Sequence, residues 1–318
     1  MRHALHIYQN TPNGALLFYT TADFLVYFTT VCCSARKYNI KVLGICPMLD
    51  HLHNLVEGNS RKMVSAFVRD YTKQYARNLN TTLGLSGAVF NPGFGCSVKS
   101  GFKAIRTACS YLYNNPVEKG LCRKPEDYRW VFLAYAVSDH PFSRKIVLSN
   151  ASRPLRRAIR EIDCLRAKDQ PTGYAVIHRL FKGLCAEERE QLKDYIISRY
   201  NCIDYTSLIS FYGSYERMCL AFASNQGSEY DIHESFEPGG HMIYRSISLT
   251  IKELGFKNVK DVFCLSASEK GKLARRLLLR TKADEREIRK YLRGTQSSVI
   301  QANAHIIPTK SRRDNIGK

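Results

Sequence analysis

The segment 39–57 limits the fold most tightly. Residues 39–46 are β-rich and end at Pro47, and residues 51–57 alternate and read as a second strand paired antiparallel to the first. Gly58, Asn59 and Ser60 then break the chain, with Ser60 placed to cap a helix. Over 61–80 the residues Val64, Phe67, Val68, Tyr71 and Tyr75 fall on one helical face. A hairpin that leads directly into an amphipathic helix needs a layered α+β arrangement to bury both apolar faces. Upstream, 4–8 and 15–19 read as short strands around an Asn10–Gly14 turn, and 21–37 as a helix capped by Thr20 or Thr21.

Downstream, the Gly-rich stretch 84–95 reads as a hairpin or mobile loop, and 99–113 as a second helix. A bend is expected at Asn115–Pro116, because proline disfavours helix at the residue before it. Residues 125–137 read as helix and 139–154 as a connector, followed by helices at 155–165, 175–180 and 186–200. Residues 224–240 have the composition of a linker, and 297–318 that of a flexible tail. Between them, 273–280 and 285–292 read as two helices around a short turn. With 318 residues the chain is too long for one minimal domain. The expected division is 1–138 an α+β domain, 139–240 a helical connector, and 241–318 a basic, helix-turn-helix-like region.

Charge narrows the partner. The 48 Lys and Arg exceed the 28 Asp and Glu by 20, an excess that repels itself unless a polyanion neutralises it. Nucleic acid fits, because phosphate contacts that release counterions supply most non-specific binding. No run of residues has the length and apolarity of a membrane span. The 11 cysteines contain no CxxC pair and read as buried free thiols in a reducing, cytoplasmic setting.

His51 and His53 carry the first chemical signal. Alternate residues of a strand share a face, so two imidazoles two positions apart can chelate one cation. Tyr111 and Asn115 carry the second: they are four apart on a helix and share a face. If that face covers the histidine strand, the Asn115 carbonyl becomes a third ligand and Tyr111 reaches a phosphate on the same metal. Arg69, Lys73 and Arg77 form a stripe on the 61–80 helix, and Lys103 and Arg106 lie on the next. From 256 to 318 there are 16 Lys and Arg against six Asp and Glu, with Arg275, Arg276, Arg286, Arg289 and Lys290 as candidate DNA contacts. The remaining histidines, His6 among them, have no ligand spacing and read as structural or solvated.

The run 46–57 resembles the HUH segment of single-tyrosine transposases, most similarly the REP-associated tyrosine transposases. The runs 111–121 and 125–130 resemble that family's nucleophile helix and the segment after it, and 61–94 is similar in order and length. The resemblance covers about residues 1–137. It implies a ferredoxin-like antiparallel sheet with helices, followed here by a mainly helical C-terminal region, and often a dimer. It implies Tyr111, not Tyr113, as nucleophile and His51, His53 and Asn115 as ligands of Mg²⁺ or Mn²⁺. The implied reaction cuts and rejoins single-stranded, hairpin-flanked DNA through a 5′-phosphotyrosine link, in the cytoplasm at the nucleoid. Two positions depart from the pattern: Asp50 stands where the family usually has Asn, and Val131–Phe132 where it has Ser-Ser. Other readings of the same residues are a non-catalytic or domesticated DNA-binding protein and an HUH replication initiator or relaxase.

Overall fold

The computed structural model describes residues 3–58, 60–224 and 240–293, and Cα packing divides the chain into two units, 1–241 and 242–318. The expected linker and tail fall almost entirely outside the described residues.

The first unit is built on four antiparallel strands: β1 (His3–Asn10), β2 (Lys41–Pro47), β3 (His51–Glu57) and β4 (Gly95–Ser100), in the order β2-β3-β1-β4. Helix α1 (Thr21–Lys37) links β1 to β2, and α2 (Arg61–Leu83) links β3 to β4. This βαββαβ connection with β1 inside the sheet is the ferredoxin-like topology. Between β2 and β3 the turn is closed by the Met48 amide donating to the His51 carbonyl at 2.9 Å.

Each helix starts where its sequence permits. The buried Asp23 carboxylate accepts from the Tyr19 and Thr20 amides at 2.9 and 2.7 Å, which satisfies donors at the start of α1. Ser60 Oγ accepts from the Met63 amide to start α2, and Gly84, at φ 61°, ends it in the left-handed conformation that glycine adopts without strain. Side chains of α1 are buried almost all round, so the helix is covered on its far side as well as by the sheet.

That cover comes from a second group of helices: α4 (Arg153–Ala167), α5 (Tyr174–Leu180) and α6 (Ala186–Tyr200), with α5 and α6 against α1. On the opposite face of the sheet lies α3 (Gly101–Glu118), packed with α7 (Tyr205–Ser210) and α8 (Tyr215–Ser224) around Ile105, Leu112, Tyr113, Met218 and Phe222. The connector 139–152 is pinned by the buried Asp194, which accepts from Tyr135 Oη at 2.6 Å, the Phe142 amide at 3.0 Å and Ser143 Oγ at 2.8 Å.

Several expectations are corrected. Residues 15–19 form no strand: the Leu17 and Phe18 amides both reach the Leu49 carbonyl, and their side chains enter the core from a bend. β4 begins at Gly95, the last residue of the stretch read as a loop, and takes in Lys99 and Ser100, which were expected to start the next helix. α3 starts at Gly101 and runs through Pro116 to Glu118, with no break at Asn115. Residues 125–136 form three short 3₁₀ turns instead of one helix, because Tyr128 is extended between the first two and Phe132 sits at φ 61° between the last two. Cys164, Cys185 and Cys264 are exposed, not buried.

The second unit contains α9 (Gly240–Glu253), α10 (Ala267–Arg280) and α11 (Glu285–Leu292). Ser266 and Asp284 cap the last two by accepting from the Glu269 and Glu287 amides. Their core is Ile247, Ile251, Leu273, Leu277, Ile288 and Tyr291. Among the described residues no helix is long and apolar enough to cross a membrane.

Candidate active site

Register brings the histidines together. β1 pairs with β3 so that Tyr8 lies opposite His53, Asn10 opposite His51 and His6 opposite Leu55. Directly paired residues share a face, so His6, Tyr8, His51 and His53 all lie on the α3 side. The intervening Asn54 lies on the other side and hydrogen-bonds Tyr27 of α1 and Tyr71 of α2.

His6 and His53 are diagonal neighbours, both fully buried, with His6 Nε2 at 3.1 Å from His53 Nδ1 and the rings stacked at 5.1 Å. His51 stands 5.0 Å from His53 with its plane at 81°, and its Nδ1 lies 2.6 Å from Asp50 Oδ1. An ionised carboxylate only accepts, so the Nδ1 of a neutral His51 carries the proton and Nε2 keeps its lone pair. The same tautomer holds at His53 when its Nδ1–H donates to His6.

Helix α3 carries Tyr111 onto this group. Its ring lies 5.5 Å from both His53 and His6, edge-on to each. Asn115, one turn further along, is 1% exposed, and its Oδ1 is buried with no hydrogen-bond partner. An amide oxygen left so costs about 1–3 kcal/mol, and a cation is a partner that would recover it. Two imidazoles and an amide oxygen are donors that divalent cations accept. Among the described residues no group of three or more His, Cys, Asp or Glu side chains is arranged to hold a metal, so a site here depends on the amide.

The close approach of α3 is made possible by Gly44, next to a register shift in β2. A Cβ there would stand 2.9 Å from Leu112 Cδ2 and 3.3 Å from the Tyr113 ring. Tyr113 itself is turned into the core: its Oη donates to the Leu43 carbonyl at 2.9 Å, its ring stacks on Phe222, and burial pushes its phenol well above the usual range.

The candidate DNA contacts are dispersed. Arg69, Lys73 and Arg77 form an exposed row on α2, the helix across the sheet from Tyr111. Lys103 and Arg106 are exposed on the first turns of α3, two and one turns before Tyr111. In the second unit Arg276 and Arg286 are exposed, and Arg275, Arg289 and Lys290 are half-buried. Sequence reasoning missed His6, because its contact depends on a cross-strand register that no spacing within either strand encodes.

Residues 21–115 match the family model described as Transposase IS200 like, a span from α1 through His51, His53 and Tyr111 to Asn115. The similarity is confined to this span, which is less than half of the chain. Among solved structures, the REP-associated tyrosine transposase bound to a REP hairpin is similar at 19% identity and a TM-score of 0.34, over 39% of this chain and 73% of that one. No curated protein matches the chain.

Proposed function

We propose that this transposase domain cuts one DNA strand and rejoins it through Tyr111, with His51, His53 and Asn115 as ligands of a divalent cation, Mg²⁺ or Mn²⁺. The carrying observation is the edge-on seat of the Tyr111 ring 5.5 Å from His53, one turn from the buried, unbonded Asn115 Oδ1.

Tyr111 Oη attacks the scissile phosphorus. The new bond joins tyrosine oxygen to phosphorus, and the bond from phosphorus to the 3′ oxygen breaks. The phenol releases its proton to solvent, and the departing oxygen takes one up, leaving a 5′-phosphotyrosine and a 3′-hydroxyl. Because the phosphodiester energy is kept, a 3′-hydroxyl attacking the same phosphorus reverses the step and joins an end without ATP. A phenol has a pKa near ~10 and is a weak nucleophile at neutral pH. When bound, the cation neutralises charge on the phosphate oxygens and orients the ester for in-line attack. Asp50 and His6 hold the two imidazoles with Nε2 lone pairs available, as partners behind metal-binding histidines do. The substrate is a strand accessible to a buried tyrosine, hence single-stranded DNA beside a hairpin.

Incubation with a labelled hairpin-bearing oligonucleotide and Mn²⁺ tests this. The wild type is expected to give a protein–DNA adduct that survives denaturation, Tyr111→Phe none, and Tyr113→Phe to retain it. An adduct undiminished in Tyr111→Phe refutes the nucleophile. DNA binding without any wild-type adduct identifies a non-catalytic regulator instead.

A further inference from the structure

Helix α4 divides its surface cleanly by chemistry. Leu155, Ala158, Ile159 and Ile162 are buried on one side. Arg153, Arg156, Arg157 and Arg160 are exposed on the other, at helical positions i, i+3, i+4 and i+7. The acidic residues of the same helix are engaged elsewhere: Glu161 pairs with Arg179, and Asp163 with Arg199 at 2.8 Å and with Tyr195. Among the described residues none of the four arginines forms an ion pair; Arg156 donates to the Leu148 carbonyl at 3.4 Å. Lys145, exposed in the connector before α4, adds a further cation near its N-terminal end in the chain.

Four guanidinium groups on one narrow face repel one another, and nothing in the unit's core requires them there. The row extends about 10 Å along the helix axis. Phosphates recur about every 3.4 Å per strand along a duplex, so it can face about three of them. Guanidinium groups are always charged and bind phosphate oxygens in bidentate fashion. The helix stands outside α1, on the side of the sheet away from Tyr111, and outside the 21–115 span that carries the transposase family match.

The geometry points to this arginine face of α4 as a second DNA-binding surface, one that holds the phosphodiester backbone of DNA flanking the segment cut at Tyr111. It rests on the DNA-processing reading above for its ligand, but not on the chemistry at Tyr111. Held through phosphate contacts, the face adds affinity and register without adding sequence preference.

The experiment compares wild-type full-length protein with a variant in which all four arginines become Gln and one in which all four become Lys. Binding of a labelled hairpin oligonucleotide with long flanks is measured across a salt series. Loss of about three phosphate contacts lowers the slope of log K against log salt by about 3 on duplex flanks and about 2 on single-stranded ones, and weakens binding on the order of tenfold at moderate salt. The Gln variant is expected to show this loss, and the Lys variant to keep most of the wild-type slope. On an oligonucleotide trimmed to the hairpin and the scissile step, the Gln and wild-type proteins should bind alike. All four side chains are exposed, so melting temperatures should match; if the Gln variant does not fold, the pairs Arg153/Arg157 and Arg156/Arg160 are tested separately. Unchanged slope and affinity in the folded Gln variant overturn the proposal, as does an equal loss on the trimmed oligonucleotide. The two readings fail separately: wild type that makes no adduct while the Gln variant still loses its slope leaves this surface standing and removes the nucleophile.

Discussion

At the scale of single residues, the arrangement around His53 makes His6 a positioning residue. His53 is held from behind by the His6 ring and faced by Tyr111, so its orientation depends on His6, which is not one of the proposed ligands. Loss of such partners costs metal affinity about 10–100-fold in comparable sites. His6→Ala should therefore weaken Mn²⁺ binding by about that factor in calorimetry, while His6→Gln, which restores a polar atom near Nε2, recovers part of it. Equal Kd values for wild type and His6→Ala would dismiss the role. His51 and His53 were legible in the sequence because strand periodicity alone puts both on one face. His6 was not, since it reaches His53 only diagonally across a strand pair. Tyr111 and Tyr113 could not be ranked by composition among 19 tyrosines. Family resemblance favoured the first, and burial with a backbone hydrogen bond assigns the second to the core.

At the scale of elements, the distance between α3 and the sheet controls whether Tyr111 and Asn115 can meet the histidines. Gly44 sets that distance. In Gly44→Ala the new methyl overlaps Leu112 and Tyr113, both fully buried, so the helix must shift or the core must strain. The expected cost is about 1–3 kcal/mol in denaturant unfolding, with weaker Mn²⁺ binding as α3 is displaced. A variant as stable as wild type would show that α3 seats independently of this contact. Helices with a clear apolar stripe, such as α2 and α4, were readable from their periods. β4 was not: Gly95–Ser100 has little apolar alternation, and its strand form comes from pairing with β1, a tertiary choice that overrides local preference. Pro116 misled for a related reason. It lies in the last turn of α3, and its missing N–H costs little against a helix already held by the Ile105–Tyr113 core. The amides of Lys119 and Leu121 still close the end onto the Asn115 and Pro116 carbonyls.

For the whole molecule, the excess of 20 positive charges pointed to a polyanionic partner without saying where it binds, because net charge carries no geometry. A second global property, buried phenols, leads to a prediction about pH. In the first unit Tyr27, Tyr71, Tyr113 and Tyr205 are all pushed well above the usual tyrosine range, in each case first by burial, which penalises the phenolate. In the second unit Tyr291 is raised to about 12 by burial, against the opposing effect of its hydrogen bond with Ser248. These groups keep their protons in the folded chain at a pH where the unfolded chain has begun to lose them. The unfolded state then binds fewer protons, and stability falls as pH rises. The contribution is complete below ~10, the value of an unfolded tyrosine, and is lost progressively as the pH climbs toward the folded values. Phenolate absorbance at 295 nm and far-UV circular dichroism, followed together from neutral pH upward, should show the exposed tyrosines ionising first with helix content unchanged. The buried ones should ionise only in step with loss of helix signal. Buried tyrosines that titrate near ~10 while the circular dichroism holds steady would mean that water reaches these phenols in the folded state, and that the packing on both faces of the sheet is looser than described.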